Sequence, residues 1–189
     1  MKRRAELEEQ TRLRITESAV ALHEEVGPAH TSISAIAERA GVRRSTVYRH
    51  FPDEDALFNA CSSHWRAANP PPDPRLWSSI DDAAERTHAA LEAVYAFYAE
   101  TEAMYTSLFR DEELVPAVHH RLRVFHDYLD AVRDGLAAGR GLRGHRARLV
   151  RAALAHALAF QTWRSLVREQ GLGQDDAVEL MCRLVDPFE

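Results

Sequence analysis

No apolar run in this 189-residue chain approaches the roughly 18 residues that a membrane-spanning helix needs. The amino terminus, MKRRAELEEQTRLR, leads into an amphipathic pattern and not into the apolar core of a secretory leader, so a cytoplasmic protein is expected. Cysteine is scarce: Cys61 and Cys182 show neither metal-ligand spacing nor a disulfide framework and read as reduced packing residues. Strand signals are almost absent, and so are repeats and low-complexity tracts. No glycine-rich phosphate loop, Gly-x-Ser-x-Gly elbow or HExxH pair is present, which leaves catalysis with little support. What the chain does contain, 46% hydrophobic and 28% charged residues, is the balance of an ordinary soluble globular protein able to bury a sizeable core.

The most informative stretch is SISAIAERAGVRRSTVYRHF, residues 32–51. Two short helical patterns, 33–40 and 43–51, are separated by Gly41 and Val42, too few residues for anything but a sharp turn between packed helices. Gly41 can take the positive φ that ends a helix, and Ala37 is small where the second helix crosses the first. Ile36, Val42 and Val47 turn inward as a miniature core, which makes the unit a helix-turn-helix. Such a unit lays its second helix across the DNA major groove with the residues near that helix's start facing base edges, and Arg43, Arg44, Ser45 and Thr46 occupy the start. Charge agrees: through Pro52 there are nine Lys or Arg against seven Asp or Glu, whereas the remainder holds 15 against 22, so a locally basic reader precedes an acidic body.

Residues 31–57, TSISAIAERAGVRRSTVYRHFPDEDAL, resemble the DNA-binding signature of TetR-family transcriptional regulators. Ala40, Gly41 and Val42 match the opening of the turn, and Tyr48, His50 and Phe51 match the Y-x-H-F ending of the recognition helix. The resemblance covers the first third of the chain. It implies that Arg43, Arg44, Ser45 and Thr46 face bases while Tyr48 and His50 hold phosphates, with Arg49 in the same candidate set and Thr31 or Ser32 placed to cap the preceding helix and face a phosphate. It further implies a ligand-responsive regulator, a repressor in the simplest case, that binds a palindromic double-stranded DNA operator as a homodimer. A small hydrophobic effector would release it, with no cofactor and no enzymatic activity. Arg43-Arg44 stands where many relatives carry serine or small residues, so their operator preference does not carry over.

The expected architecture is all-α, an amino-terminal three-helix DNA-binding domain over 1–52 and a helical-bundle ligand-binding and dimerisation domain over 53–189. A first helix is expected over 6–26, with Leu7, Leu13, Ile15, Ala19, Leu22 and Val26 on its inner face and Lys2, Arg3 and Arg4 preceding it as a basic arm. Pro52 and the acidic Asp53, Glu54 and Asp55 open a fourth helix that runs towards Ala68, the element that links reader to body in the resembled family. After the NPPPDP break at 69–74, helices are expected over 78–101, 102–110, 117–138, 144–170 and 174–185, punctuated by Pro116 and by glycines at 139–141 and 171–173.

The aromatic residues Tyr95, Tyr98, Tyr105, Phe109, Phe125, Tyr128, Phe160 and Trp163 fall on successive helices of the body. Stripes of this kind are usually core; by the resemblance, these helices also enclose an effector cavity, in which tyrosine hydroxyls and His156 would orient a ligand between apolar walls. The rival reading is a helical-bundle metal-dependent enzyme or metal sensor. Glu85 and His88 make one Glu-x-x-His pair, but a di-iron bundle needs two, and His119, His120 and His126 form only a loose cluster. No metal site is assigned. The last two helices carry Ala152, Ala153, Ala155, Ala157 and Ala159 among Leu149, Leu154, Leu158 and Trp163, then Val178, Leu180, Met181 and Leu184, more apolar surface than one exposed face holds. A dimer interface is expected there, with Leu158 at its centre.

Overall fold

The computed structural model describes residues 2–138 and 140–186; Gly139 and the side chain of Lys2, both named above, lie outside the described residues. Among the described residues the regular structure is helical: α1 (Lys2–Glu25), α2 (Ile33–Arg39), α3 (Arg44–His50), α4 (Glu54–Ala68), α5 (Ala83–Asp111), α6 (Pro116–Ala137), α7 (Gly144–Ala157), α8 (Phe160–Arg164) and α9 (Gln174–Val185). No helix of the described residues is long and apolar enough to cross a membrane. The chain divides into two compact units, residues 2–70 with 103–122, and residues 71–102 with 123–186.

In the first unit α1 packs on α4 and α2, and α2 on α3. The core joins Ile15 and Ala19 of α1, Ile33, Ile36 and Ala37 of α2, Val47 of α3, and Leu57 and Cys61 of α4, with Val42 partly buried against them. Burial pushes the Cys61 thiol up to about 12, so it stays protonated and packs as a small apolar group. The expected basic arm is instead the first turn of α1, where Arg4 Nε donates to Glu8 Oε1 at 3.2 Å. Leu7 and Leu13, expected inside, are 56% and 42% exposed, and Val26 is exposed too. Their pattern is helical but off the seam: residues 3–10 are all exposed, and the buried face begins only at Ile15 and continues through Ala19 to His23. Leu13, two residues before Ile15, therefore points about 200° away from it.

Two further boundaries differ from expectation. Residues 83–111 form one helix where a break near residue 101 was expected, because neither Gly nor Pro interrupts them; the Thr101 hydroxyl only donates back to the Phe97 carbonyl at 2.5 Å. Conversely, the expected single helix over 144–170 is interrupted. Leu158 is still helical, Ala159 turns extended at φ −72° and ψ 136°, α8 follows, and a π-helical turn, Ser165–Glu169, ends the run. Pro116 opens α6 at its first position, where a missing amide costs nothing.

The second unit has a core of large side chains: Leu91, Val94, Tyr95 and Tyr98 from α5, Leu136 from α6, Leu154 and Leu158 around the end of α7, and Phe160 and Trp163 from α8. α9 buries Ala177, Val178, Met181, Cys182 and Val185, and it packs on α7. Leu154, Leu158, Trp163, Val178 and Met181, expected at a subunit interface, are thus consumed inside the protomer. The apolar surface left outside is smaller: Ala152 and Ala155 on α7, and Leu180 and Leu184 on α9 at 44% and 38% exposure.

Candidate nucleic-acid interface

The reader begins at a cap. The Ser32 hydroxyl accepts the Ala35 amide at 3.1 Å, and Thr31 instead donates its hydroxyl to the Gly27 carbonyl at 2.8 Å, so of the two candidates Ser32 caps α2. α2 ends in a Schellman arrangement: the Val42 amide reaches back to the Ala37 carbonyl at 2.9 Å and the Gly41 amide to the Glu38 carbonyl at 3.0 Å. This geometry requires φ of +64° at Gly41, the left-handed region that side chains with a Cβ resist. Arg43 then stands extended as the residue before α3, and Arg44 begins the helix.

Val47 and Phe51 are both buried and lie one turn apart, so they fix which way α3 faces. With about 100° between successive residues, Ser45 and Arg49 point directly away from the core, Arg44 and Tyr48 share one flank, and Thr46 and His50 share the other. Exposure follows: Arg43, Arg44, Ser45, Tyr48 and Arg49 are exposed, Thr46 and His50 half-buried. The nine residues named from sequence for DNA contact thus fall into two groups, Thr31 and Ser32 at the start of α2, and Arg43 with the exposed and half-buried positions of α3. His50 is the least accessible at its tip, since its Nε2 is buried with no hydrogen-bond partner among the described residues.

α3 carries two arginines, Arg44 and Arg49, with Arg43 directly before it, and no acid. Arg44 Nη2 donates to the Tyr48 hydroxyl at 3.2 Å, and its guanidinium carbon lies 5.6 Å from the Tyr48 ring centroid. Beside α3, Asp53 caps α4 by accepting the Ala56 amide at 2.7 Å, and Glu54 and Asp55 occupy that helix's first turn. A cation that the sequence reading passed over, Arg12 of α1, sits 5.5 Å from the centroid of Phe51 at the end of α3. No local motif marks Arg12; only the packing of α1 brings it there. Arg39, by contrast, is engaged in a two-pronged pair with Glu25 at 2.5 Å on each oxygen.

Behind the reader, the turn after α1 is clasped by the end of α5. Asp111 is fully buried; its carboxylate accepts the Ala29 amide at 3.0 Å and Arg110 Nε at 2.8 Å, while Arg110 Nη2 donates to the Val26 carbonyl at 2.7 Å. Burial alone would raise the Asp111 carboxyl, but the bonds from Arg110 and Ala29 outweigh it and hold it below the usual range. A cleft of about 130 Å³ lies in the same unit, walled in part by His23, Ile36, Leu57, Phe58 and Val115.

The candidate effector residues do not form one group. Tyr105 and Phe109 belong to the first unit, where Tyr105 meets Trp65 edge-on at 5.8 Å and Phe109 at 6.0 Å. In the second unit, Tyr98 lies 5.3 Å from Phe160, 5.8 Å from Trp163 and 6.2 Å from Phe125, and Phe125 stacks on Tyr128 at 5.9 Å. The hydroxyls are spoken for: Tyr95 donates to the Ala157 carbonyl at 2.9 Å, Tyr98 to the Leu158 carbonyl at 2.6 Å, and Tyr128 to the Pro72 carbonyl at 2.7 Å. Trp163 Nε1 is buried with no partner among the described residues. His156 is exposed on α7, its Nδ1 3.3 Å from the Thr162 hydroxyl, and does not join the aromatic group. Among the described residues no three His, Cys, Asp or Glu side chains converge as a metal site; His88 and His119 each face one carboxylate, Glu92 at 3.6 Å and Glu112 at 3.3 Å.

Comparison with known proteins bears on this geometry. The model of the family described as bacterial regulatory proteins, tetR family, matches residues 15–61, from the buried face of α1 through the reader to Cys61 of α4. The chain is 27% identical over 146 residues to the HTH-type transcriptional activator FasR of Mycolicibacterium smegmatis, covering 76% of this chain and 67% of that protein. Its fold is that of a TetR-like transcriptional regulator from Rhodococcus sp. RHA1, with a TM-score of 0.66 at 20% identity over 93% of each chain. It is also that of NalD, the secondary repressor of the MexAB-OprM multidrug efflux pump in Pseudomonas aeruginosa, with a TM-score of 0.61 at 23% identity over 96% of this chain and 94% of NalD. A helix-turn-helix with this turn and these arginines, the tetR-family match across residues 15–61, and a fold shared with a TetR-like regulator along nearly the whole length make this chain similar to DNA-binding transcriptional regulators of the tetR family, through the reader above all.

Proposed function

We propose that this protein is a ligand-responsive regulator that binds a palindromic operator as a homodimer, with residues 1–52 as reader and 53–189 as ligand-binding and dimerisation domain. The observation that carries the reading is α3 and its approach, where Arg43, Arg44, Ser45, Tyr48 and Arg49 are exposed around an anchor of buried Val47 and Phe51. Arginine there suits bidentate contact with guanine, and the remaining polar groups suit phosphate. Two readers must stand about 34–36 Å apart to enter successive major grooves, which one protomer cannot arrange. Exposed Leu180 and Leu184 on α9, beside Ala152 and Ala155 on α7, supply apolar surface for the second copy.

The effector is a small, mostly hydrophobic molecule, matched to an aromatic interior in which Trp163 Nε1 is a buried donor with no partner among the described residues. It lowers operator occupancy by binding the DNA-incompetent arrangement more tightly, about 1.4 kcal/mol for each tenfold loss of DNA affinity. Regulation is read as repression by occupancy; activation is the second reading, favoured by the activator named in FasR. A metal-dependent enzyme has no converging ligand set to support it among the described residues. The deciding experiment is selection of duplexes from a randomised pool with a chelator present, followed by titration at several salt concentrations. A palindromic consensus, bound metal-independently with affinity falling steeply as salt rises, is expected. Failure of the wild-type protein to enrich any sequence defeats the reading.

A further inference from the structure

Tyr48 stands in two relations at once. Its exposed place on the flank of α3 suits a phosphate contact, which carries no sequence information of its own. Yet its hydroxyl already accepts from Arg44 Nη2 at 3.2 Å, and its ring underlies the same guanidinium at 5.6 Å. Arg44 has five donors arranged as a fork; a bond from one nitrogen to Tyr48 leaves donors on the guanidinium for the paired acceptors of a guanine edge. A flexible arginine must otherwise give up rotamer freedom on binding, and a side chain already held along its neighbour gives up less.

We propose that Tyr48 is a positioning residue for base recognition: it orients Arg44 on the flank of α3, so part of the sequence preference of Arg44 is set by Tyr48. The hydroxyl accepts from Arg44 and keeps its own proton, which it donates to a backbone phosphate in the complex. One residue then ties the phosphate register to the guanidinium that reads the base. Glu54, at the start of α4, adds an attraction on Arg44 from the acidic side of the interface. This rests on the assignment of α3 as the recognition helix.

The test uses the full chain. Duplexes selected by the wild-type protein supply a consensus, and affinities for it and for each single-base variant are measured at one salt concentration for wild type, Arg44→Ala, Tyr48→Phe and the double variant. Thermal melting of each variant checks that the fold is kept, as the exposure of both side chains leads one to expect. Arg44→Ala should relax preference at one base pair of each half-site by roughly five- to hundredfold. Tyr48→Phe should relax preference at that same base pair by about two- to tenfold, and the double variant should discriminate there no less well than Arg44→Ala alone. A uniform loss of affinity on Tyr48→Phe, with preference at the Arg44 base pair intact, would leave Tyr48 a phosphate contact only and overturn the proposal. So would effects of the two substitutions that simply add, or an Arg44→Ala variant with unaltered preference. A wild-type protein that selects no sequence fails earlier and overturns the recognition-helix assignment with it.

Discussion

His23 lies on the inward face of α1, its ring 5.6 Å from Phe58 and its Nδ1 3.7 Å from Cys61 Sγ. Burial pushes its imidazole down to about 4, against a weaker upward pull from Asp111. The folded protein therefore keeps His23 neutral where an unfolded chain, titrating near 6.5, would protonate it. The stabilisation is fully present above pH 6.5 and is lost as pH falls through the window from 6.5 to about 4. At 1.36 kcal/mol per unit of pKa the loss is on the order of 3 kcal/mol. Denaturant unfolding at pH 7 and at pH 4.5 should show it, and His23→Gln should flatten that slope while leaving the steeper loss below pH 4, where Asp111 and other carboxylates with depressed pKa values protonate. An unchanged slope in His23→Gln would assign the acid sensitivity elsewhere. Nothing in the sequence marks His23. Gly27, just past α1, sits at φ +90°, which by itself favours glycine, and an added Cβ would also collide with Arg110 Nη2 and Asp111 Oδ2. Those side chains lie at the far end of α5, so the crowding is visible only in the fold.

The interruption between α7 and α8 belongs to the scale of the element. In a continuous helix the carbonyls of Ala157 and Leu158 would accept the amides four residues on; here they accept the hydroxyls of Tyr95 and Tyr98, at 2.9 and 2.6 Å. The segment ALAHALAFQTW has no glycine or proline, so local propensity favours one long helix and the sequence pattern reads as one. Two tyrosines roughly sixty positions earlier override that preference by supplying the lost donors, which is a tertiary cause and leaves no local signal. The reader is the opposite case. Ser32 and Gly41 act on residues within about five positions, and Val47 and Phe51 stand one turn apart in a short helical pattern, and for that reason the helix-turn-helix and its turn were legible in the chain. Tyr98→Phe removes the donor and leaves a buried carbonyl short of a partner, which should cost about 1–3 kcal/mol. Tyr95→Phe should do the same. If the helix heals instead, the Gln161 and Thr162 amides should become more protected from hydrogen exchange in the double variant than in wild type. Full stability in both single variants, with unchanged exchange, would mean that the tyrosines follow the break and do not hold it.

For the whole molecule the open quantity is the number of copies that act together, and burial now separates residues that the sequence pattern treated alike. Leu158 and Leu180 both looked like members of one apolar face, but Leu158 is 1% exposed inside the protomer and Leu180 is 44% exposed on α9. A helical period identifies an apolar stripe; it does not tell whether the protomer itself or a second copy covers the stripe. A glutamate at each position should therefore fail differently. Leu158→Glu places an unpaired charge in a packed core and should unfold the second unit, with loss of helical signal and of a cooperative melting transition. Leu180→Glu leaves that core intact and puts like charges against each other across a two-fold interface that must bury at least about 1,200 Å² to be stable. The wild type should sediment as a dimer at micromolar concentration, and Leu180→Glu as a folded monomer with an unchanged helical spectrum. Its affinity for the palindromic site should drop to that of a single reader, while binding to an isolated half-site stays the same. A wild-type monomer, or a Leu180→Glu variant that remains dimeric with full palindrome affinity, would move the interface away from α7 and α9.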